Sequence, residues 1–334
     1  MERYKILRKI LEERQCFKLV CGAGNEDPEE VRRLSVVFTL AGATMLDLSA
    51  NLNVIDAARN GVNKAYELAP LFEKKIAIRP YLNVSIGLKG DPHVRKAKID
   101  AHLCVKCGKC VDACAQGAIR VDFVVVEYKC IGCGHCAEEC SYGAVQYIHK
   151  MVDIGRILPG CVKRGIETME LHAVTQDNEA VFSDWKLLNS IIKNNFLSMC
   201  LDRALLSDKD LIERIRKAYD ITGERLIIQA DGVPMSGEED DYNTTLQAVA
   251  CADIVLKSSI PVMILLSGGT NSKTGLLARQ CGVKANGVAV GSFARKIMKK
   301  FIKNDDFDRN ISLVREAVTV AEKLIRSNLE VING

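Results

Sequence analysis

The stretch CVKCGKCVDAC, residues 104–114, decides how the middle of the chain folds, because it places four cysteines at the spacing C-x2-C-x2-C-x3-C. The stretch CIGCGHCAEEC, residues 130–140, repeats that spacing. In ferredoxins with this pattern, three thiolates of a run hold one [4Fe-4S] cluster and the fourth ligates the other cluster. We therefore predict an inserted ferredoxin-like domain with two [4Fe-4S] clusters. The first cluster is assigned to Cys104, Cys107, Cys110 and Cys140, and the second to Cys114, Cys130, Cys133 and Cys136.

Zinc is the alternative interpretation, since C-x2-C pairs also bind that ion. A tetrahedral zinc takes four ligands. Zinc binding would not explain why both runs share the cysteine spacing of ferredoxins. The runs depart from the usual pattern at one point, because Ala115 and Ser141 stand where a proline usually follows the fourth cysteine. This departure can change the local turn, but it removes no ligand.

Outside the cysteine segment, short apolar runs alternate with amphipathic helical stretches. Strands that are each followed by a helix predict a closed (β/α)8 barrel of the TIM type. An open doubly wound sheet is the alternative arrangement of the same elements. The predicted strands are FKLVC (17–21), MLDLS (45–49), YLNVSIG (81–87), TMELHAV (168–174), FLSMCLD (196–202), RLIIQAD (225–231), PVMILLS (261–267) and GVAVGS (287–292).

The cysteine segment interrupts this alternation between the third predicted strand and the next helix. We divide the chain into a first part of the barrel (1–95), the inserted ferredoxin-like domain (96–150) and a second part of the barrel (151–334). Loops that follow the strands of such a barrel emerge at its C-terminal face, where the active sites of TIM barrels lie. The clusters are therefore expected above the mouth of the barrel.

Polar residues stand at the ends of the predicted strands, where branched apolar side chains normally fill a barrel. Residues two apart on a strand share one face. For any single residue, a capping Asp or a buried His is the ordinary interpretation, but a whole set is difficult to bury without a polar occupant. We predict a functional mouth whose candidate catalytic residues are Glu170, His172 and Asp231, as proton donors, and Cys21. The rest of the set is Asp47, Ser49, Asn83, Ser85, Asp202 and Gln229.

Glycine-rich turns follow the last two predicted strands, at SGGTNSKTG (267–275) and GVAVGSFAR (287–295). Glycines let backbone N–H groups approach an anion, and these two loops are the usual phosphate-binding place of the barrel. Two tight turns without a ligand are the structural alternative. A phosphate site beside iron–sulfur clusters makes FMN or a phosphorylated substrate the candidate ligand. The predicted phosphate-binding residues are Gly268, Gly269, Thr270, Lys273, Gly291, Ser292 and Arg295.

The composition is that of an ordinary globular protein, with 48% apolar and 26% charged residues. A net charge of +4 over 334 residues is too small to indicate a nucleic-acid partner. The first residues mix acids and bases without the apolar core of a signal peptide, and no stretch reaches the length of a membrane span. We therefore expect a cytoplasmic protein without membrane insertion. In such a chain, 14 cysteines indicate metal or redox chemistry.

Several segments, in order, resemble the light-dependent period family of cyanobacterial iron–sulfur proteins. They are CFKLVCGAGNEDPEEVRRLSVVFTLAGATMLDLSA (16–50), RPYLNVSIGLKGDPHVRKAKID (79–100), the two cysteine runs, and LSGGTNSKTG (266–275) with GVAVGSFARK (287–296). The resemblance covers nearly the whole chain. It implies [4Fe-4S] binding at the cysteines of the two runs and a link to redox input into the circadian clock, and it transfers no catalytic residue.

Two functions of different classes are compatible with these patterns. In the first, the protein is an oxidoreductase whose clusters exchange electrons with a phosphate-bearing substrate or a flavin at the barrel mouth. In the second, it is a redox-sensing adaptor that signals the state of the clusters to a partner. The polar strand ends favour the enzyme, and the family resemblance favours the sensor. We expect an electron donor or acceptor protein as a partner, and a plain electron carrier would need no barrel of this size.

Overall fold

The computed structural model describes residues 2–22, 24–88, 91, 94–149, 152–232 and 240–333. Within these residues, eight strands form a closed barrel and two form a separate small sheet. The strands are β1 (Cys16–Val20), β2 (Met45–Ser49), β3 (Tyr81–Gly87), β4 (Arg95–Ile99), β5 (Val145–His149), β6 (Thr168–His172), β7 (Leu197–Leu201), β8 (Leu226–Asp231), β9 (Met263–Ser267) and β10 (Gly287–Val290).

The barrel strands are parallel and follow one another in the order β1, β2, β3, β6, β7, β8, β9 and β10, with β10 pairing back onto β1. This confirms the predicted TIM-type barrel and excludes the open sheet. Within the described part of the chain, no helix combines the length and apolar character needed to cross a bilayer. The helices are α1 (Glu2–Glu12), α2 (Pro28–Ala41), α3 (Leu52–Leu68), α4 (Lys109–Asp112), α5 (His135–Glu138), α6 (Ile154–Lys163), α7 (Asn178–Ile191), α8 (Asp208–Thr222), α9 (Tyr242–Lys257), α10 (Thr274–Gln280), α11 (Ser292–Ile302) and α12 (Ile311–Asn333).

Helix α1 closes the N-terminal end of the barrel. Its buried residues Leu7, Ile10 and Leu11 lie on one face, three or four positions apart, as in an amphipathic helix. They pack against an apolar layer at the bottom of the barrel, which consists of Cys16, Met45, Tyr81, Phe196, Ile227 and Leu265. Because this end is filled by apolar side chains, a ligand would have to enter the barrel from the C-terminal end.

The main apolar core lies between the strands and the surrounding helices. Outward-facing strand residues such as Phe17 and Leu19 share this core with helical residues such as Val37 and Trp185. Full burial of one such side chain contributes about 1.5–3 kcal/mol.

The helices also have specific starts. For example, the side chain of Asp27 accepts hydrogen bonds from the first N–H groups of α2.

The inserted segment forms a lobe of its own, here called the inserted lobe (residues 95–149). Strands β4 and β5 flank it and pair antiparallel, from Arg95 opposite His149 to Ile99 opposite Val145. Helices α4 and α5 each follow a glycine, with φ of 86° at Gly108 and 109° at Gly134. Glycine adopts this left-handed conformation without steric cost. The repeated turn folds the two cysteine runs in the same way.

The inserted lobe rests on the C-terminal end of the barrel. The buried ammonium of Lys96 donates to the carbonyl oxygens of Gly24, at 2.7 Å, and Cys130, at 2.6 Å. At another point where the lobe meets the barrel, Lys299 of α11 donates to the carbonyl of Ala115 at 2.8 Å. Gly24 belongs to the loop after β1, so the lobe is attached where the strand-to-helix loops emerge. It lies over the mouth of the barrel, as its place in the chain predicts.

Candidate functional site

Two small cavities in the inserted lobe are each surrounded by four cysteines. Both hold the combination that the spacing predicts, with the fourth cysteine of each run crossing to the other set. The described cysteines are all free thiols. Both sets of side chains therefore fit a four-iron cluster. The first cavity is lined by Cys104, Cys107, Cys110 and Cys140, and the second by Cys114, Cys130, Cys133 and Cys136.

Backbone N–H groups point at sulfur atoms of the second set. Ala97 donates to Cys130 Sγ at 3.3 Å, and Ala118 donates to Cys114 Sγ at 3.2 Å. Hydrogen bonds of this kind tune the potential of a bound cluster, which supplies one-electron exchange. In the first set, Cys107 is exposed. The first cluster site therefore faces solvent, and the second is the more enclosed of the two.

The mouth of the barrel opens into a cavity beneath the lobe. Strand-end residues line its lower part, among them Asp47, His172, Gln229 and Asp231. Ile131 of the inserted lobe lines it from above. The same Ile131 also lines the cavity of the second cysteine set. A single residue therefore borders both the mouth of the barrel and the second cluster site.

Glu170 is the centre of a buried polar network at the mouth. Its Oε2 accepts a hydrogen bond from Lys18 Nζ at 2.5 Å, and its Oε1 accepts one from the amide of Gln229 at 2.7 Å. The same ammonium donates to Gln229 Oε1 at 3.0 Å and lies 3.8 Å from Asp47 Oδ2. The four side chains are at most 3% exposed. Lys18 is central to this network, although it is not among the residues predicted from the sequence.

The charges in the network are not equivalent. Burial disfavours the ammonium of Lys18, but the carboxylates of Asp47 and Glu170 outweigh this effect and raise the pKa of Lys18. Burial also disfavours the carboxylate of Glu170, yet Lys18 and His172 lower the pKa of Glu170 to about 2. The pKa of Asp47 is instead raised, mainly by burial. Lys18 and Glu170 thus form the tight ion pair, and Asp47 is the weaker partner.

His172 connects Glu170 to the segment after β3. Its Nδ1 lies 2.9 Å from Asp91 Oδ2, and its Nε2 lies 3.2 Å from Glu170 Oε1. Gly87, the last residue of β3, makes room for this contact, since a Cβ there would come within 2.3 Å of Asp91 Oδ2. Burial disfavours the imidazolium, but the two carboxylates raise the pKa of His172 well above its ordinary value. The ring is therefore held between two carboxylates at the edge of the cavity.

Asp231, the last residue of β8, lines the same cavity. Its Oδ2 accepts a hydrogen bond from the thiol of Cys200 at 3.1 Å. Gly268 follows β9 with φ of 67°, and a Cβ there would come within 1.6 Å of Asp231 Oδ1. The same Cβ would lie 2.7 Å from the backbone N of Gly232, so another residue at position 268 would force the carboxylate or the turn to move. The structure thus brings the predicted residues Glu170, His172 and Asp231 together at the mouth.

The turns after β9 and β10 border the cavity, and six of the predicted phosphate-binding residues line it. Arg295 Nη1 donates to the carbonyl oxygens of Val20 and Cys21, both at 3.1 Å, which fixes the guanidinium at the rim. Helix α11 begins at Ser292, so its N-terminal end faces the cavity. The six lining residues are Gly268, Gly269, Thr270, Gly291, Ser292 and Arg295.

Lys273 requires a correction. It was predicted to add charge to the phosphate site, but its ammonium donates to the carbonyl of Asp240 at 2.5 Å and lies 5.4 Å from the ring centre of Tyr242. Gly268 and Gly269 both have positive φ, at 67° and 74°, and the chain turns at them. The side chain of Lys273 is held by these contacts and does not line the cavity.

Cys21 requires a second correction. It was predicted to face the mouth, but its side chain is buried in the apolar core between the strands and the helices. Successive side chains on a strand point to opposite faces. Because Lys18 and Val20 face the interior, Leu19 and Cys21 face the helices. Burial raises the pKa of the Cys21 thiol, which makes it unreactive.

The cysteine runs match known cluster-binding sequences. The 4Fe-4S binding domain matches residues 97–120 and again residues 123–146. These two matches contain the cysteines that surround the two cavities. Together with the barrel, they define the class of the protein, which is an iron–sulfur protein with two 4Fe-4S binding motifs inserted in a (β/α)8 barrel.

The rest of the chain identifies the family. The light dependent period A C-terminal domain matches residues 161–327, which is half of the chain. The chain belongs to the light dependent period A family. It is 28% identical, over 363 aligned residues, to "Light dependent period A" from Synechococcus elongatus, with 95% of this chain and 92% of that protein covered. The family resemblance of the sequence is therefore confirmed.

Solved structures that are similar to this chain include the following two. One is the YdjI aldolase from Escherichia coli K12, with a TM-score of 0.47, 7% identity, and coverage of 97% of this chain and 92% of that chain. The other is tryptophan synthase from M. tuberculosis, with a TM-score of 0.46, 10% identity, and coverage of 96% and 98%.

Proposed function

We propose that the protein is an oxidoreductase in which the second cluster exchanges electrons with a small phosphate-bearing molecule bound at the barrel mouth. The observation that carries this proposal is the position of Ile131, which borders both cavities. A ligand in the mouth and a cluster in the lobe would both lie against Ile131. Such an arrangement would shorten the path that electrons take between them.

The rim of the cavity supports an anionic ligand. The guanidinium of Arg295 is fixed at the rim, and the N-terminal end of α11 adds the positive end of a helix dipole. Gly268 and Gly269 line the cavity in a left-handed turn, and because they carry no side chains of their own a ligand could approach their backbone N–H groups. A phosphate bound here would position the rest of the molecule over the strand ends. FMN and a phosphorylated substrate both meet this description.

The strand ends supply the proton chemistry that two-electron reduction of an organic group requires. Asp231 and His172 both line the cavity and would contact a bound molecule. Glu170 and Asp91 hold the ring of His172 from opposite sides. Lys18 in turn holds Glu170 through the ion pair at 2.5 Å. We assign proton transfer to Asp231 and His172, and positioning to the residues behind them.

The first cluster is the proposed entry point for electrons. Cys107 is exposed, and so are the neighbouring apolar side chains of Leu103, Val105 and Tyr142. An exposed apolar surface beside a redox centre suits a transient contact with an electron donor or acceptor protein. Electrons would then pass from the first cluster to the second and on to the mouth.

The location that we propose is the cytoplasm, because clusters bound by thiolates and cysteines that remain free thiols fit a cytoplasmic protein.

The test begins with protein purified without oxygen. Denaturation should release one phosphate-bearing compound or flavin per chain, identified by absorbance and mass, and adding that compound back to the reduced protein should reoxidise the clusters. The substitution Ser292→Glu places a carboxylate at the proposed anion site and should abolish retention of the compound. The exposed Ser190 of α7 provides the matched control, because Ser190→Glu adds the same charge away from the mouth. A mouth that yields no such compound would contradict the proposal.

A redox-sensing adaptor is the second candidate function. The exposure of the first cluster site favours it, because a partner docked there would contact the part of the protein whose charge changes on reduction. The name of the relative, light dependent period A, is also in keeping with a signalling role. If Ser292→Glu leaves every redox property unchanged and the mouth releases no compound, the adaptor becomes the better explanation.

A further inference from the structure

Three side chains of different ligand types converge at the mouth. Glu170 and His172 come from β6 and Cys200 from β7, all three are buried, and their ligand atoms lie within 4.8 Å of one another. Metal–ligand bonds of about 2.0–2.3 Å hold the donors of one ion at separations of this order. We propose that Glu170, His172 and Cys200 bind one divalent transition-metal ion, as a third metal centre separate from the two clusters.

The strand pairing of the barrel fixes this arrangement. His172 and Cys200 are direct neighbours in the pairing of β6 with β7. Glu170 precedes His172 by two residues, so both side chains point to the same face of β6. All three ligands are therefore carried by rigid strands rather than by loops, which is the geometry that a metal site of defined coordination needs.

Asp91 contacts the second ring nitrogen of His172, as a carboxylate commonly does beside a metal-binding histidine. Its Oδ2 lies 2.9 Å from Nδ1 of His172, which leaves Nε2 as the ring nitrogen that faces Glu170 and the metal position. Metal-binding histidines commonly donate their other ring N–H to a carboxylate, which orients the ring and makes it a better ligand. Gly87 lets Asp91 approach this closely, since a Cβ at position 87 would come within 2.3 Å of the carboxylate oxygen.

Asp47 gives a second observation that points to a bound cation. Its Oδ2 is buried and, within the described residues, accepts no hydrogen bond. Asp47 and Glu170 share the single ammonium of Lys18, at 3.8 Å and 2.5 Å. A buried carboxylate oxygen without a hydrogen bond is unfavourable, and buried charges are normally paired or coordinate metals. Since Asp47 also lines the cavity, a water on the proposed ion would supply the missing hydrogen bond.

The set of donors indicates the class of metal. One imidazole nitrogen, one carboxylate oxygen and one thiolate suit Zn²⁺, Fe²⁺ or Co²⁺, whereas Mg²⁺ and Ca²⁺ prefer oxygen ligands alone. Binding converts the Cys200 thiol to a thiolate and releases its proton to solvent. Glu170 can keep its contact with Lys18 through Oε2 while Oε1 faces the ion, because the two oxygens already have different partners.

The metal site goes beyond the electron-transfer function proposed above and changes one assignment in it, because His172 would then bind the ion instead of transferring a proton. With an ion bound, His172 is a ligand, and Asp231 remains as the ionisable residue that contacts a molecule in the mouth. Metal binding is measured without any organic ligand or electron donor. The metal proposal and the oxidoreductase proposal can therefore fail separately.

Cobalt is a suitable probe, because a cysteine-bound Co²⁺ has a sulfur-to-metal charge-transfer band. Anaerobic protein that retains both clusters is treated with a mild chelator and titrated with Co²⁺. We expect one Co²⁺ per chain, a charge-transfer band in the difference spectrum, and displacement by Zn²⁺. Cys200→Ser should remove the band, and Asp91→Asn should weaken binding about 10- to 100-fold.

The matched control is Cys251→Ser, in a buried thiol of α9 that contacts the carbonyl of Leu201 at 3.7 Å rather than the cavity. This variant should bind Co²⁺ as the wild type does. Wild-type protein that takes up no Co²⁺, or a Cys200→Ser variant that binds it with the same affinity and spectrum, would overturn the proposal. If Cys200→Ser does not fold, His172→Asn decides in the same titration, and unchanged binding there also overturns the proposal.

Discussion

Lys18 is a charged residue in the middle of an apolar strand, CFKLV. Along β1, Cys16, Lys18 and Val20 share the face that points into the barrel, while Phe17 and Leu19 point outward. This alternation could have identified Lys18 from the sequence, because a lysine that points into a barrel needs a buried carboxylate as its partner. The sequence could not show which carboxylate, since Glu170 is 152 residues away along the chain.

Replacement of Lys18 tests the buried ion pair. Lys18→Met keeps the length of the side chain but leaves Glu170 and Asp47 without their cation, so we expect a loss of about 3–5 kcal/mol in the free energy of unfolding. Urea unfolding followed by the fluorescence of Trp185, the single and fully buried tryptophan, measures it. Lys257→Met is the control, because Lys257 pairs with Asp253 on the exposed face of α9. Equal losses in the two variants would contradict the account of the pair.

Gly268 provides a second test at the residue scale. Gly268→Ala combines an unfavourable positive φ with a Cβ that would lie 1.6 Å from Asp231 Oδ1. Gly282→Ala has nearly the same φ, +69°, and no atom within 4 Å of its Cβ, so it measures the backbone strain alone. We expect about 1–2 kcal/mol of destabilisation for Gly282→Ala and clearly more for Gly268→Ala. Unfolding curves that coincide would show that Asp231 is not fixed by this contact.

At the scale of elements, the cysteine runs were predictable because the spacing of ligands along a short loop is dictated by the cluster itself. The strands of the barrel were also predictable, and β2 and β3 have the predicted bounds. The role of α1 was not predicted. Its sequence shows an amphipathic helix, but only the packing of Leu7 and Leu11 against the bottom layer shows that it closes the barrel.

The two cluster sites make separate predictions because each has its own four cysteines. Cys107→Ala should remove the first cluster and Cys133→Ala the second, so iron should fall from about eight atoms per chain to about four in either variant. Electron paramagnetic resonance of the reduced variants should show one isolated cluster instead of two interacting ones. Cys281→Ala removes an exposed thiol outside the lobe and should leave the iron content unchanged. Zinc in place of iron in the wild type would contradict the assignment.

At the scale of the whole molecule, chain order predicted that the lobe would lie over the mouth, because strand-to-helix loops of this barrel emerge at one end. The same logic brought Glu170, His172 and Asp231 together. The predictions for Cys21 and Lys273 were wrong because they depend on the direction of a single side chain. A shift of one residue along a strand reverses the direction of a side chain, and the alternation along β1 could have shown this for Cys21. The contact that holds Lys273 at Asp240 is not visible in the spacing of residues.

The molecule thus consists of a barrel with an ionic upper interior and a lobe with two sets of cluster ligands above it. Ile131 borders both the mouth of the barrel and the cavity of the second cysteine set. In the proposed oxidoreductase, electrons would pass from the exposed first cluster site, through the more enclosed second site, toward the barrel.

The most direct test is a crystal structure of protein grown without oxygen, with an anomalous difference map recorded at the iron absorption edge. We predict two groups of iron peaks in the lobe, one of them among Cys114, Cys130, Cys133 and Cys136 and in contact with Ile131 above the mouth. Iron in only one group, or a second group on the side of the lobe away from the barrel, would contradict the account.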